Sequence, residues 1–147
     1  MTVRVCVKGG PFLDVSRTTV RRRAEKMLAV LRLEDAELSI ALVNDATIRD
    51  LNHRFRGFDE PTDVLAFALS EAHERPNGDG VLGDIILSVD TAQRQAKANR
   101  RSLLAELTML LAHGLLHLIG YDHRTAREDA RMKKKVAELE AAAITRT

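Results

Sequence analysis

The sequence predicts an α+β fold with four strands and five helices in one domain spanning residues 1–147. Two observations carry that expectation. Strand-like apolar runs and helix-like amphipathic segments are both present, and no repeat, linker or low-complexity stretch divides them. A chain of 147 residues also suits one domain that buries roughly two-thirds of its unfolded surface.

Residues 2–8 read as the first strand, where Cys6 alternates with Val3, Val5 and Val7, so a buried thiol is expected. Gly9-Gly10-Pro11 breaks it. Asp14 or Ser16 can cap a helix running to about Leu33, with Val20, Ala24, Met27, Leu28 and Leu31 as its apolar stripe. Glu37 to Val43 is a second strand. Asn44-Asp45 then caps a helix over about Ala46 to Arg54, whose buried side would be Ile48, Leu51 and Phe55. The cluster Gly57 to Pro61 makes a turn, and Thr62 to Leu69 a third strand.

Ser70 to Gly80 is polar and Gly-rich and reads as a surface hairpin loop. Val81 to Val89 is the fourth strand, interrupted only by Gly83 and Asp84. Asp90 or Thr91 can cap a helix through Arg101, and Ser102 can cap the long helix that follows. Leu103, Leu107, Leu110, Leu111 and Leu118 would bury that helix and leave its two histidines at the edge of the stripe. A last amphipathic helix covers Ala126 to Ala143.

Composition removes several classes. The first residues lack the apolar core and cleavage site of a signal peptide. The most apolar stretch, Leu103 to Ile119, is interrupted by Glu106, Thr108 and two histidines, which argues against a membrane span. A lone cysteine forms no internal disulfide and fits a reducing cytoplasm. Net charge is +2, yet Arg17, Arg21, Arg22, Arg23, Lys26 and Arg32 load the first helix. Arg124, Arg127, Arg131, Lys133, Lys134 and Lys135 load the last. Such helices are a phosphate-binding surface or simply solvated faces, so nucleic acid is permitted and no more.

The chemistry concentrates in His113-Gly-Leu-Leu-His117-Leu-Ile-Gly120-Tyr-Asp-His123, which holds three of the five histidines. His113 and His117 are four apart and share one helix face. Gly120 suits the left-handed turn that ends a helix and reverses the chain, so His123 can return beneath the pair. Three neutral imidazoles hold one zinc ion and leave a fourth position for water, the layout of a catalytic site. The zinc-peptidase template has the same histidine and glycine offsets but carries its general-base Glu where this chain has Gly114. The metal scaffold therefore fits while peptidase chemistry does not.

That histidine string resembles the signature of the YbeY family of bacterial rRNA-maturation endoribonucleases. Leu51-Asn-His-Arg-Phe-Arg56 with Pro61-Thr-Asp-Val-Leu-Ala-Phe67 resembles the family's helix–turn–strand block, and Leu82-Gly-Asp-Ile-Ile-Leu-Ser88 its next strand. The resemblance spans about Leu51 to His123. It implies a mixed four-stranded sheet surrounded by helices, with zinc on His113, His117 and His123. It further implies a metal-dependent endoribonuclease acting on single strands in 16S rRNA end maturation and ribosome quality control, with rRNA and ribosomal particles as partners. The family's functional arginine falls on Arg56. Where the family has Ser and Pro flanking its Phe, this chain has Ala66 and Ala68.

Phosphodiester cleavage needs an activated nucleophile and positive charge on the phosphorane. Arg56 would serve the second need by forking onto two phosphate oxygens; read alone, it is a surface arginine at a helix end. The leaving oxygen's proton can come from a second metal-bound water or the substrate's 2′-hydroxyl. Asp84 is open between accepting a histidine N–H, marking a bulge and making a structural hydrogen bond, and Asp122 is similarly open. Asp63 is expected to fix the start of its strand and Tyr121 to pack at the turn. Four Phe and no Trp leave RNA held mainly through phosphate. Two other readings compete: a non-catalytic ribosome-associated protein whose zinc is closed by Cys6, His53 or another side chain, and a hydrolase acting on peptides or small molecules.

Overall fold

The computed structural model describes residues 3–69 and 80–145. The expected loop over Ser70 to Gly80 therefore lies, apart from Gly80, outside the described residues. In chain order the elements are β1 (Val3–Lys8), α1 (Arg17–Val30), β2 (Glu37–Val43), α2 (Asp45–Arg56), β3 (Val64–Ala68), β4 (Val81–Ser88), α3 (Val89–Ala98), α4 (Leu103–Leu118) and α5 (Ala126–Ala143). The four strands form one sheet in the order β1-β2-β4-β3. β1, β2 and β4 run parallel, and β3 returns antiparallel to β4, so the sheet is mixed as expected.

Strand alternation divides the apolar residues between two unequal cores. Leu38, Ile40, Leu42, Ile85 and Leu87 enter the large one, together with Met27 and Leu28 of α1, Leu107, Leu111 and Leu115 of α4 and Leu139 of α5. Val43, Leu65 and Ile86 point the other way, onto Ile48 of α2. Because α2 covers only one end of that second face, two expectations fail there. Cys6 is exposed rather than buried. Phe55 is 58% exposed instead of lying on the buried side of its helix. Cys6 does alternate with Val3, Val5 and Val7, but α2 does not reach the part of the face that Cys6 occupies.

Helix starts follow side-chain caps: Ser16, Asn44, Ser88, Ser102 and Thr125 each accept a backbone N–H three residues on. Ser88, not Asp90 or Thr91, therefore starts α3. Helix ends were harder to read. α1 stops at Val30 and α3 at Ala98, each short of expectation. In both, an arginine takes the left-handed position that usually signals glycine: Arg32 at φ 58° and Arg100 at φ 54°. Leu33 N–H bonds to Leu28 C=O and Arg101 N–H to Ala96 C=O, satisfying carbonyls at each terminus.

Gly83 sets the join between β4 and its neighbours. Glu37 pairs with Val81 but Leu38 with Gly83, so Leu82 is the extra residue of a bulge. Gly83 has φ +139°, and a Cβ there would lie 2.1 Å from the Phe67 carbonyl oxygen. Gly83→Ala thus combines backbone strain with displacement of β3, and we expect a loss of about 2–4 kcal/mol in urea unfolding. An unchanged midpoint would show that the bulge relaxes freely. Among the described residues no helix is long and apolar enough to cross a membrane.

Candidate metal centre

The end of α4 builds the turn that gathers the histidines. Gly120 sits at φ +100°, its N–H bonds to His117 C=O at 3.1 Å, and Tyr121 N–H bonds to Leu116 C=O at 3.0 Å. This paired closure satisfies carbonyls at the helix terminus and sends the chain back toward the preceding turn. Tyr121 packs on the large core. Asp122 accepts the His123 N–H at 2.7 Å and pairs with Arg124 at 2.7 Å. Its carboxylate is thereby held below the usual range, chiefly by the His123 N–H. Asp122 therefore shapes the turn instead of accepting an imidazole N–H.

The result is a cluster of His113, His117 and His123 with ring nitrogens that all lie within 4.8 Å of one another. The Nε2 atoms of His113 and His117 are 3.1 Å apart. Two nitrogens about 2.0–2.1 Å from a tetrahedral ion stand about 3.3 Å apart, so the pair is already at ligand spacing. Burial first, and then the neighbouring imidazoles, hold His113 and His117 below the ordinary histidine value. Both rings are thus disposed to be neutral, the form that binds a metal. Among the described residues no fourth Cys, His, Asp or Glu side chain joins the three. Cys6 faces the far side of the sheet, and His53 is exposed on α2. The donor set fits one metal ion with an open position.

Gly114 has a structural cause that the sequence alone did not reveal. It is buried, and a Cβ there would lie 3.0 Å from Ile85 Cγ2 and 3.2 Å from Val64 Cγ2. The absence of a side chain lets α4 settle on β3 and β4. That close approach puts the histidines at the open edge of the sheet, because β3 is the edge strand.

Arg56, the last residue of α2, reaches the same edge. Its Nη2 donates to the Ala66 carbonyl at 2.9 Å, and its guanidinium lies 4.9 Å from the centre of the Phe67 ring. Gly57, at φ +81°, ends α2 and lets the chain turn away after Arg56. Arg56 and His117 line one cleft of about 280 Å³, together with Val64, Ala66 and Ala68 of β3. Ala66 and Ala68, the two departures from the family pattern, therefore border this cleft. Phe67 was not anticipated as a support for Arg56, since a strand–helix stacking contact leaves no periodic signal.

The remaining acidic residues separate cleanly. Asp63 starts β3 as expected: one carboxylate oxygen accepts Val64 N–H at 2.7 Å and the other Gln95 Nε2 at 3.1 Å. Asp84 pairs in register with Phe67 and Ser39 and lies on the face opposite Ile85 and α4. It cannot accept from these histidines, and the bulge beside it is at Leu82.

The fold and site define an α+β protein with three clustered histidines that could hold a metal ion, flanked by an arginine bonded to β3. Residues 12–143 match the family model described as Endoribonuclease YbeY. A protein named Endoribonuclease YbeY from Anaeromyxobacter sp. (strain Fw109-5) is 52% identical over 95% of this chain and 70% of its own length. One of the same name from Anaeromyxobacter dehalogenans (strain 2CP-C) is 49% identical over 82% of this chain and 61% of its own length. The solution structure of TM1509 from Thermotoga maritima superposes with a TM-score of 0.67 at 26% identity, covering 95% of this chain and 88% of that one. The chain belongs to the YbeY family.

Proposed function

We propose that this chain is a zinc-dependent endoribonuclease cutting single-stranded RNA, acting in the cytoplasm on the 16S rRNA 3′ end and in ribosome quality control. One folding unit over residues 1–147 would carry the whole activity. The observation that carries this reading is the shared cleft of Arg56 and His117. A phosphodiester held there meets a guanidinium on one side and the three-histidine centre on the other. Relatives named as endoribonucleases support the choice of RNA as substrate.

His113, His117 and His123 would hold the ion. When bound, zinc acts as a Lewis acid and lowers the pKa of its water to about 7. The residues supply the rest. Gly120 and Asp122 keep His123 beneath the helical pair. Arg56, steadied by Ala66 and Phe67, offers its remaining N–H donors to two phosphate oxygens without first having to be ordered. The absence of a fourth side chain at the three histidines, among the described residues, favours catalysis over a structural zinc.

Arg56→Glu tests this reading. The variant should keep its metal and thermal midpoint and lose about a hundredfold or more of single-strand RNA cleavage. Metal content by emission spectroscopy and cleavage of a labelled oligoribonucleotide read the two properties separately. Unchanged cleavage would remove Arg56 from the mechanism.

A further inference from the structure

By sequence α1 and α5 are equally basic, and the structure sets them apart. On α1, Arg23 Nη1 donates to Thr108 Oγ1 at 2.7 Å and Lys26 Nζ donates to the Thr145 carbonyl. Thr108 lies in the first half of α4 and Thr145 beyond the end of α5, so α1 packs away from the histidine turn. Helix α5 instead starts from that turn, and its cations fall into two sets. Lys133 pairs with Asp129 at 3.0 Å and Lys135 with Glu138 at 3.2 Å, and just before the helix Arg124 pairs with Asp122. Arg127, Arg131 and Lys134 are exposed, and among the described residues none of the three has a hydrogen bond or ion pair.

Positions 127, 131 and 134 share one helix face and span about 10.5 Å along its axis. Like charges so placed repel one another, a cost that a bound anion removes. Arg131 also lines a polar cleft of about 430 Å³ with Ile119, Gly120, Tyr121, Asp122 and Glu128. The stripe is therefore continuous with the turn that carries His123. We infer that Arg127, Arg131 and Lys134 form a phosphate track, which guides a single strand of RNA along α5 on one side of the scissile bond. The inference rests on the endoribonuclease reading. Contacts of this kind position the strand without reading its bases. The track is short, because Glu138, about one turn past Lys134 on the same face, carries the opposite charge. Its length suits a few successive phosphates of one strand and not an extended acidic protein surface. Of the acids lining the cleft, Asp122 is already paired with Arg124, which leaves Glu128 against three cations.

Salt dependence tests the track without any need for cleavage. A labelled single-stranded oligodeoxyribonucleotide carries the same phosphates, and its binding can be followed by fluorescence anisotropy. The logarithm of the binding constant falls with the logarithm of salt concentration by about 0.7 per phosphate engaged on a single strand. Arg127→Gln, Arg131→Gln and Lys134→Gln together should flatten that slope by about 2 and weaken binding about tenfold or more at physiological salt. Arg17→Gln, Arg21→Gln and Arg22→Gln together remove equal charge from α1. That control should change affinity less than about twofold, since charges beyond a Debye length are screened. On an oligoribonucleotide substrate the α5 variant should lose about tenfold in kcat/KM, and the loss should appear in KM. Equal losses in the two variants, or none in either, overturn the track, as does binding of an acidic peptide with none of the oligonucleotide. If the slopes differ as expected but no RNA is cut, the endoribonuclease reading fails and the track stands.

Discussion

His117→Ala will lose its metal and, with it, about a thousandfold or more of RNA cleavage, while remaining folded. The size follows from what the centre supplies. A metal ion contributes several kcal/mol of charge stabilisation in the transition state, and about 4 kcal/mol corresponds to a thousandfold in rate. His117 is central to the set because its Nε2 stands 3.1 Å from that of His113 and its ring centre 5.6 Å from that of His123. Removing it leaves two donors on opposite sides of the gap. The fold should tolerate the change, since His117 is only half-buried, caps no helix and carries a ring that burial disfavours in its charged form. Metal content, thermal midpoint and cleavage measured on one preparation check the three claims. A variant that loses its metal and still cleaves at the native rate would refute the catalytic assignment.

Gly114→Glu will unfold the protein and will not convert it into a peptidase. Restoring the template's Glu tests whether Gly114 marks a missing base or a required close approach. The contacts at 3.0 and 3.2 Å to Ile85 and Val64 already crowd a single Cβ. Overpacking of that kind costs about 1–3 kcal/mol. A carboxylate carried into the same buried position adds several kcal/mol more unless it finds a partner. The sum approaches the whole stability of a typical domain, about 5–15 kcal/mol. Circular dichroism and urea titration should show an absent or greatly weakened transition. Gly114→Ala is the control, because its gain in helix propensity of about 1 kcal/mol offsets part of the crowding. A stable Gly114→Glu protein with bound metal would show that α4 lifts from the sheet readily.

The two kinds of glycine show why parts of the site were legible and parts were not. Gly120 was readable because a helix end needs a left-handed residue, a local requirement that one chain segment expresses by itself. Gly114 was visible only as a departure from a template. Its cause is a contact with β3 and β4, segments that lie about fifty and about thirty residues earlier in the chain. Arg32 and Arg100 mark the reverse failure: they occupy the same left-handed conformation as Gly120 without its sequence signal, so α1 and α3 end early.

Burial divides the same way. The stripes Val20, Ala24, Met27, Leu28 and Leu107, Leu110, Leu111 are buried as their periodicity requires. Cys6 and Phe55 had equally good apolar patterns and are open, because a pattern states which residues share a face and not whether anything covers it.

By itself the sequence determined the strands and helices, the caps that start most of those helices, and the three-histidine string with its turn. All of these are local, set by side-chain periodicity, by hydrogen bonds three residues apart and by one residue's freedom at positive φ. Only the tertiary structure decided that Arg56 and His117 meet over the β3 edge, that Asp84 faces away from the histidines, and that the second sheet face stays open. Those outcomes depend on strand order and on the short reach of α2, and neither is written in any one segment of the chain.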